Sequence, residues 1–222
     1  MEIGVCVASD ISDLDYAVLA EDLGYAALWF ADSQMIWSDV FATMALAASR
    51  TSRIRIGTGV AVAGTRPAPV LAAGMGTINK LAPGRVFCGV GSGNTAMRIM
   101  GHKPVTIAEL DEYLTVLKPL LRGEEVEYRW RKRSAPTKHL MPDAGFVDLD
   151  TPIPLHVSGF GPRSMALAGK HGDGLVLGGS LTPAAMSTLI RLTGRADIEV
   201  TALTTMVVLE PSEDAGSERV SA

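Results

Sequence analysis

Short apolar runs alternate with longer helical patterns along almost the whole chain, and this alternation limits the fold more than any other feature. Such alternation is typical of parallel strands joined by crossover helices. Several runs are apolar at consecutive positions, as are strands covered on both faces. The pattern predicts strands near residues 2–8, 26–31, 53–62, 85–91, 153–158, 173–178 and 198–209. It predicts helices near residues 12–24, 38–50, 67–81, 106–122, 162–171 and 182–194.

Two α/β architectures share this pattern, an open doubly wound sheet and a (β/α)8 TIM barrel. A closed barrel needs one more βα unit than the pattern shows and about 250 residues, whereas the chain has 222. Residues 212–222 have the pattern of the start of a seventh helix. The sequence therefore predicts either a complete open sheet or a barrel cut short before its last βα unit. We expect a single domain over residues 1–222, with a polar excursion at about 124–152.

Composition excludes several classes of protein. Hydrophobic residues form 47% of the chain and the net charge is −4, which favours a folded core and disfavours nucleic-acid binding. The short basic cluster 129–133 lies beside three glutamates, so we interpret it as a solvated loop or hairpin. No apolar run approaches the roughly 20 residues that cross a bilayer, and the N-terminus has no basic signal-peptide region. These features predict a cytoplasmic protein without a membrane partner.

The cysteines and histidines form no pattern that indicates a metal or a reactive thiol. Cys6 and Cys88 each lie within an apolar strand-like run, so we expect both to be buried and reduced. The four histidines lack the spacing of metal ligands, and no metal site is predicted. Ser92 has glycines on both sides, but not at the G-x-S-x-G spacing of a hydrolase.

Glycine-rich or polar turns follow five of the predicted strands. In both architectures the active site lies at the carboxyl ends of the strands. Because glycine lets a ligand approach the backbone closely, a ring of such turns predicts a flat, phosphate-bearing cofactor at one mouth. The turns are Asp32–Ser33, Gly57–Val62, Gly89–Asn94, Ser158–Ser164 and Gly178–Ser180.

Each of these turns also has a purely structural interpretation. Asp32 suits the N-cap of a helix as well as it suits contact with a ligand. The stretch 89–93 lacks the G-x-G-x-x-G spacing of a dinucleotide fingerprint. The turn Gly159–Ser164 opens a helix whose free N–H groups attract a phosphate, and Arg163 and Ser164 would add donors. A structural turn fits that stretch equally well.

Four longer stretches match one known family in its order. They are AEDLGYAALWFADS (20–33), AASRTSRIRIGTGVAV (47–62), GTRPAPVLAAGMGTINKLAPGRVFCGVGSG (64–93) and IPLHVSGFGPRSMALAGKHGDGLVLGG (153–179). With these stretches the chain resembles the bacterial luciferase-like family of flavin- and deazaflavin-dependent oxidoreductases. The resemblance implies a (β/α)8 barrel with an insertion, and so favours the truncated barrel.

Two further pieces resemble the branch of that family that uses coenzyme F420, the branch with methylenetetrahydromethanopterin reductase and sugar-phosphate dehydrogenases. These pieces are ADSQMIWSD (31–39) and IMGHKPVTIAELDEYLTVLKPLLRGE (99–124). The resemblance implies a role for each matching residue at the cofactor. Asp32 would contact the deazaflavin head, Gly59-Val60 would form a non-prolyl cis peptide behind the ring with Val62 on the same wall, Ser92 and Gly93 would bind the linker, and Phe160, Gly161, Arg163 and Ser164 would hold the phosphate.

Two positions depart from the sugar-phosphate dehydrogenases of the family. Those enzymes carry a histidine just after the aspartate and a glutamate after the glycine turn, as proton donor and acceptor. Ser33 and Asn94 stand there in this chain, and neither side chain moves a proton near neutral pH. We therefore predict hydride transfer between F420 and a C=C, C=N or C=O group of a small organic substrate, with Ser33 and Asn94 positioning it. Trp37 is expected either in the substrate pocket or in the core.

Two other functions stay open. The first is an FMN-dependent monooxygenase, which would need a route for dioxygen and a reductase partner or bound NAD(P)H. The second is a truncated, non-catalytic cofactor-binding protein. For the full-length form of the family the resemblance implies a homodimer, and no nucleic-acid partner is expected.

Overall fold

The structure is a computed structural model that describes residues 1–178, 182–206, 208–211, 213–214 and 216–217. Its main sheet is parallel throughout, in the order β1-β2-β3-β5-β8-β9-β10, with β4 beside β5. The ranges are β1 Gly4–Val7, β2 Ala27–Phe30, β3 Arg55–Thr58, β4 Ala61–Val62, β5 Val86–Gly91, β8 Leu155–Ser158, β9 Gly174–Gly178 and β10 Glu199–Leu203. Two further strands, β6 Val126–Trp130 and β7 Arg133–Thr137, form a separate antiparallel hairpin.

The main sheet curls into a nearly closed barrel. Arg55 of β3 and Glu199 of β10 form an ion pair of 3.3 Å, although three strands separate β3 from β10 in the sheet order. Only strong curvature brings side chains of such distant strands together. Within the described residues, β1 and β10 each pair with a neighbour on one side only. The predicted TIM-type barrel is confirmed, and the open doubly wound sheet is wrong.

Helices cover the outside of the barrel, and all six predicted helices are present with ends shifted by a few residues. The helices are α1 Asp15–Asp22, α2 Val40–Arg50, α3 Ala68–Leu81, α4 Asn94–Ile99, α5 Ile107–Leu120, α6 Pro162–His171 and α7 Pro183–Arg191. Polar side chains cap the starts of α2 and α5. The Asp39 carboxylate accepts the N–H groups of Phe41 and Ala42, while Thr106 and Glu109 form a capping box on α5.

The core has an outer layer and a smaller inner one. Phe30, Ile56 and other outward side chains of the strands pack against Met44, Met75 and Leu117 of the helices, in one continuous buried cluster. Inside the barrel, a second cluster contains Ala27, Trp29, Phe87 and Val176. Burial on both faces explains why these strands have continuous apolar runs rather than an alternating pattern.

Three elements differ from the prediction. The predicted strand 53–62 is two strands, because the chain bends at the Gly59–Val60 peptide, which is cis. Helix α4 is missing from the prediction, since its six residues are too few to show a helical period. The predicted strand 198–209 ends at Leu203, where its neighbour β9 also ends. Most of the predicted helix start at 212–222 lies outside the described residues.

The excursion at 124–152 contains the hairpin and a 3₁₀ turn, Pro142–Ala144. The hairpin interpretation of the basic cluster is confirmed, because β6 turns into β7 within it, with Arg131 at a φ of 58°. The end of the excursion is fixed to α3, where the Asn79 amide donates to the carbonyls of Asp148 (3.1 Å) and Thr151 (3.0 Å). In the part of the chain that is described, no helix is both long and apolar enough to span a membrane.

The two cysteines lie in different environments. Both are free thiols, and Cys88 is buried as predicted. The prediction that Cys6 is buried is wrong, because Cys6 is exposed. In β1, Val5 and Val7 pack against the outer core, so Cys6 faces the barrel lumen. On that side the structure describes no strand beyond β1, so the lumen is open beside Cys6.

Candidate active site

One cavity of about 1100 Å³ occupies the barrel lumen and reaches the carboxyl ends of the strands. All the residues predicted to contact the cofactor, together with Ser33 and Asn94, line this cavity, whereas Trp37, the other candidate for the substrate pocket, does not. They come from five different strand ends, which only the barrel closure brings together. They are Asp32, Ser33, Gly59, Val60, Val62, Ser92, Gly93, Asn94, Phe160, Gly161, Arg163 and Ser164.

The inner wall of the cavity is aromatic and aliphatic. The rings of Trp29 and Phe87 lie 4.3 Å apart between centroids, and Val60 packs against the same cluster. Val60 has room because Gly91 faces it, where an added Cβ would come within 2.8 Å of Val60 Cγ2. A broad apolar wall with few polar groups is suited to a planar ring system.

Asp32 follows β2 and is 6% exposed. Its Oδ2 accepts hydrogen bonds from Arg66 and from the backbone N–H of Val62 (3.4 Å), and its Oδ1 accepts one from Gln34. Burial raises the pKa of Asp32, although the Arg66 guanidinium opposes the rise. The alternative role of Asp32 as a helix N-cap is wrong, because α2 begins later and Asp39 caps it.

Arg66 was not among the predicted site residues. Its Nη1 bonds to Asp32 and its Nη2 lies 3.0 Å from Asp39 Oδ2, while the guanidinium carbon lies 5.0 Å from the centre of the Phe41 ring. A signal for it does exist in the sequence, because Arg66 is the one charged residue between positions 56 and 79. An arginine within so apolar a stretch requires a buried partner.

The glycine turn after β5 places Asn94 at the rim of the cavity. Gly93 has a φ of +78°, and a Cβ there would lie 2.2 Å from Val62 Cγ1, so only glycine fits. Asn94 begins α4, and its Oδ1 accepts a hydrogen bond of 2.7 Å from Arg98 Nε. On the facing turn, the Ser33 carbonyl accepts the N–H groups of Ile36 and Trp37.

The turn after β8 ends at the N-terminus of α6. Ser164 Oγ accepts the N–H groups of Phe160 and Gly161, both at 3.2 Å, and donates to the Gly161 carbonyl. Phe160 itself is largely exposed. The first N–H groups of a helix have no partner within the helix, and they favour a bound anion. Arg163 adds a positive charge on the cavity side of this turn.

His156 lies below the aromatic wall and was also missed by the sequence analysis. It is fully buried, its ring centroid lies 5.5 Å from those of Trp29 and Phe87, and among the described residues neither ring nitrogen has a hydrogen-bond partner. Its Nε2 is 3.8 Å from Glu199 Oε2. Burial lowers the pKa of His156, which favours the neutral imidazole. Trp37, in contrast, is exposed, so its placement in the core is wrong.

Comparison with known families gives a match over nearly the whole chain. The family model described as "Luciferase-like monooxygenase" matches residues 12–221. The 5,10-methylenetetrahydromethanopterin reductase of Methanolobus tindarius is 30% identical over 169 residues, which cover 74% of this chain and 49% of that protein. The F420-dependent glucose-6-phosphate dehydrogenase of Beutenbergia cavernae is 34% identical over 181 residues, covering 73% and 51%. The chain thus spans about half the length of the curated relatives it matches.

Solved structures agree on the fold. The coenzyme F420-dependent tetrahydromethanopterin reductase from Methanopyrus kandleri superimposes with a TM-score of 0.70 at 22% identity, over 92% of this chain and 66% of that one. The oxygenating constituent of 3,6-diketocamphane monooxygenase from Pseudomonas putida, in complex with FMN, superimposes with a TM-score of 0.68 at 19% identity, over 90% and 64%.

Proposed function

Because the chain belongs to the luciferase-like monooxygenase family, we propose that it is an oxidoreductase whose barrel cavity binds the deazaflavin coenzyme F420. The proposed reaction is hydride transfer between F420 and a small organic substrate. The observation that carries this proposal is the convergence of residues from five strand ends on one cavity of about 1100 Å³. A cavity of this size is large enough for a cofactor and a small substrate together.

The chemistry of the lining fits such a cofactor. The wall of Trp29, Val60 and Phe87 offers an apolar surface to a planar ring, and it excludes water from it. At the rim, the N-terminus of α6 and Arg163 would bind a phosphate. Asp32 would accept hydrogen bonds from the polar edge of the ring. When bound, the deazaflavin supplies the hydride chemistry.

The protein contributes orientation rather than proton transfer at the substrate. Ser33 and Asn94 lie at the cavity rim, where each can hydrogen-bond a substrate, and neither side chain titrates near neutral pH. Correct orientation of two reactants by itself lowers a barrier substantially. The proposed substrate is therefore one that accepts or gives a hydride without an obligatory acid–base pair at these positions.

The choice of F420 over FMN is supported by the relatives. The Beutenbergia cavernae relative, at 34% identity, is F420-dependent, and so is the Methanopyrus kandleri structure, at 22%, whereas the FMN-containing structure is 19% identical. An FMN-dependent monooxygenase is the second candidate, and it is supported by the similar barrel of that FMN complex.

Separate titrations with F420 and FMN, followed by absorbance and fluorescence, test the proposal. We expect F420 to bind with a micromolar or lower Kd. Asp32→Asn and Asp32→Ala should weaken binding by about 10- to 100-fold, the value of a charge-assisted hydrogen bond. Asp22→Asn, at an exposed position on α1, is the matched control. Tight binding of FMN without F420 would favour the monooxygenase, and unchanged affinity in both Asp32 variants would remove Asp32 from the site.

A substrate assay separates the proposed reaction from sugar oxidation. We expect little reduction of oxidised F420 by glucose 6-phosphate or by similar sugar phosphates, because Ser33 and Asn94 cannot accept the proton of the alcohol. Rapid reduction of F420 by any of them would contradict the proposal, and would mean that another residue accepts the proton.

A further inference from the structure

Arg66 lies behind the cavity wall, on the segment that follows β4. Its side chain is 15% exposed, and its guanidinium lies between two carboxylates. Nη1 bonds to Asp32, which lines the cavity, and Nη2 lies 3.0 Å from Asp39 Oδ2. Arg66 itself borders a different groove, between the β6–β7 hairpin and α5. It can therefore act on the cavity only through Asp32.

Asp39, the second carboxylate partner of Arg66, is held in place by the start of α2. Asp39 is the N-cap of α2, and its Oδ1 already accepts the N–H groups of Phe41 and Ala42. The guanidinium also stacks on the Phe41 ring, at 5.0 Å from its centre. A planar guanidinium held by two partners and a ring has little freedom to turn. Arg66 thus connects a carboxylate of the cavity wall to a rigid helix end.

The charge on Asp32 depends on its surroundings. Burial disfavours the ionised carboxylate, and so does the negative charge of Asp39. Tyr113 of α5, whose hydroxyl is buried, also faces this cluster. Gln34 and the Val62 N–H donate hydrogen bonds to Asp32, but they carry no charge. Arg66 is the cation in direct contact with Asp32.

We propose that Arg66 is a positioning residue that keeps Asp32 ionised and holds its carboxylate in one orientation against the cavity. The inference rests on the proposed function, in which Asp32 contacts the deazaflavin. Lysine carries the same charge but lacks the fork that reaches Asp32 and Asp39 together. Arg66→Lys should therefore preserve the charge of Asp32 better than its orientation.

Carbon-13 NMR of the aspartate carboxyl groups, recorded without cofactor, measures the ionisation of Asp32 directly. In Arg66→Met we expect the pKa of Asp32 to rise by about 1–3 units, the usual effect of removing an adjacent arginine. The rise should be smaller in Arg66→Lys. Arg50→Met is the matched control, because Arg50 lies on α2 and forms its ion pair, at 3.5 Å, with the exposed Asp15. Circular dichroism confirms that each variant is folded, and Arg66→Gln, which also removes the charge, replaces Arg66→Met if that variant does not fold.

F420 affinity between pH 5 and 8 gives the second readout. Affinity should fall about tenfold per pH unit below the pKa of Asp32, and this fall should begin at a higher pH in Arg66→Met than in the wild type. An unchanged Asp32 pKa in both Arg66 variants would overturn the inference, and so would a raised pKa with no pH dependence of binding. If the wild-type protein binds no F420 at any pH, the proposed function fails, while the NMR result still shows whether Arg66 keeps Asp32 ionised.

Discussion

The two ends of the barrel strands are built for different purposes. At the amino ends, side chains form hydrogen bonds to the backbone of neighbouring segments. The Glu21 carboxylate of α1, for example, accepts the N–H groups of residues 52–54, which precede β3. At the carboxyl ends, glycine turns such as Gly91–Gly93 and the start of α6 leave backbone groups facing a cavity. The difference places the stabilising hydrogen bonds and the proposed ligand site at opposite ends of the strands, as in other barrels.

Arg85 shows how complete the bonding at the amino ends is. It precedes β5, and its guanidinium donates to the Thr51 hydroxyl and to the carbonyls of Ala48, Thr51 and Ile54, at 3.0–3.1 Å. Ala48 belongs to the last turn of α2, where carbonyls lack helical partners and a positive charge is favourable. One side chain thus joins β5, α2 and the segment before β3.

The largest expected effect is that of Arg85→Met. Loss of four hydrogen bonds from a charged donor should lower the free energy of unfolding by about 3 kcal/mol. Affinity for F420 should stay unchanged in the folded protein, because Arg85 lies at the amino ends. Urea denaturation gives the first quantity and titration the second. Arg53→Met, at a neighbouring exposed arginine, should change stability by less than about 0.5 kcal/mol. A large loss of affinity in Arg85→Met would contradict the separation of the two ends.

Asn94→Ala makes the opposite test at the carboxyl ends. Turnover should fall by about 10- to 100-fold, which corresponds to about 1.4–2.7 kcal/mol of lost positioning. Stability should remain close to that of the wild type, since Asn94 is exposed and its side-chain hydrogen bond is to Arg98, which is also exposed. The pH profile should keep its shape. A new or lost limb in that profile would mean that Asn94 takes part in proton transfer.

Glu21→Gln should lower the free energy of unfolding by about 1.5 kcal/mol at pH 7. This value lies near the low end of what hydrogen bonds to a charged group contribute, because the carboxylate is partly solvated. Its oxygens accept N–H groups at 2.6 Å from Arg53 and 2.8 Å from Ile54. These bonds hold the pKa of Glu21 at about 2, despite the desolvation that opposes them. Because folding lowers this pKa, Glu21 stabilises the protein at pH values above its unfolded pKa, and that stabilisation is lost in strong acid.

A pH series of urea denaturations therefore sharpens the Glu21 prediction. The stability difference between wild type and Glu21→Gln should be constant above about pH 5 and shrink as the pH falls from 4.5 towards 2. Glu124→Gln, at an exposed glutamate, should show no such difference. A difference that persists unchanged at pH 2 would show that the hydrogen bonds, rather than the charge, stabilise this turn.

The smallest expected effect concerns the two thiols. A thiol reagent should label Cys6 in the native protein and leave Cys88 unlabelled, because burial raises the pKa of Cys88 to about 12 and blocks access. Cys6→Ser should change stability by no more than about 0.5 kcal/mol. Mass spectrometry of the labelled protein identifies the site. Rapid labelling of Cys88, or none of Cys6, would contradict the observed orientation of the strands.

Most of the barrel could be predicted because short, continuous apolar runs mark its strands and longer helical patterns lie between them. The turns around the cavity followed from one rule, that parallel strands place their carboxyl ends together, whereas the individual cofactor residues came from the resemblance to the family. Other features depend on contacts between distant segments. The bonding of Arg66 to Asp32, and of Glu21 to residues 52–54, joins positions about 30 residues apart. The orientation of Cys6 depends on which strands lie beside β1, and α4 is too short for a periodic signal.

Hydrogen–deuterium exchange with and without F420 tests the separation of the two ends most directly. We predict that F420 slows exchange at the carboxyl-end segments 32–34, 59–62, 91–94 and 159–164, which line the cavity. Exchange at 52–54 and at Arg85 should be the same in both states, because those amides lie at the amino ends of β3 and β5. Protection confined to the amino-end segments, or no protection at the four carboxyl-end segments under saturating F420, would contradict the account.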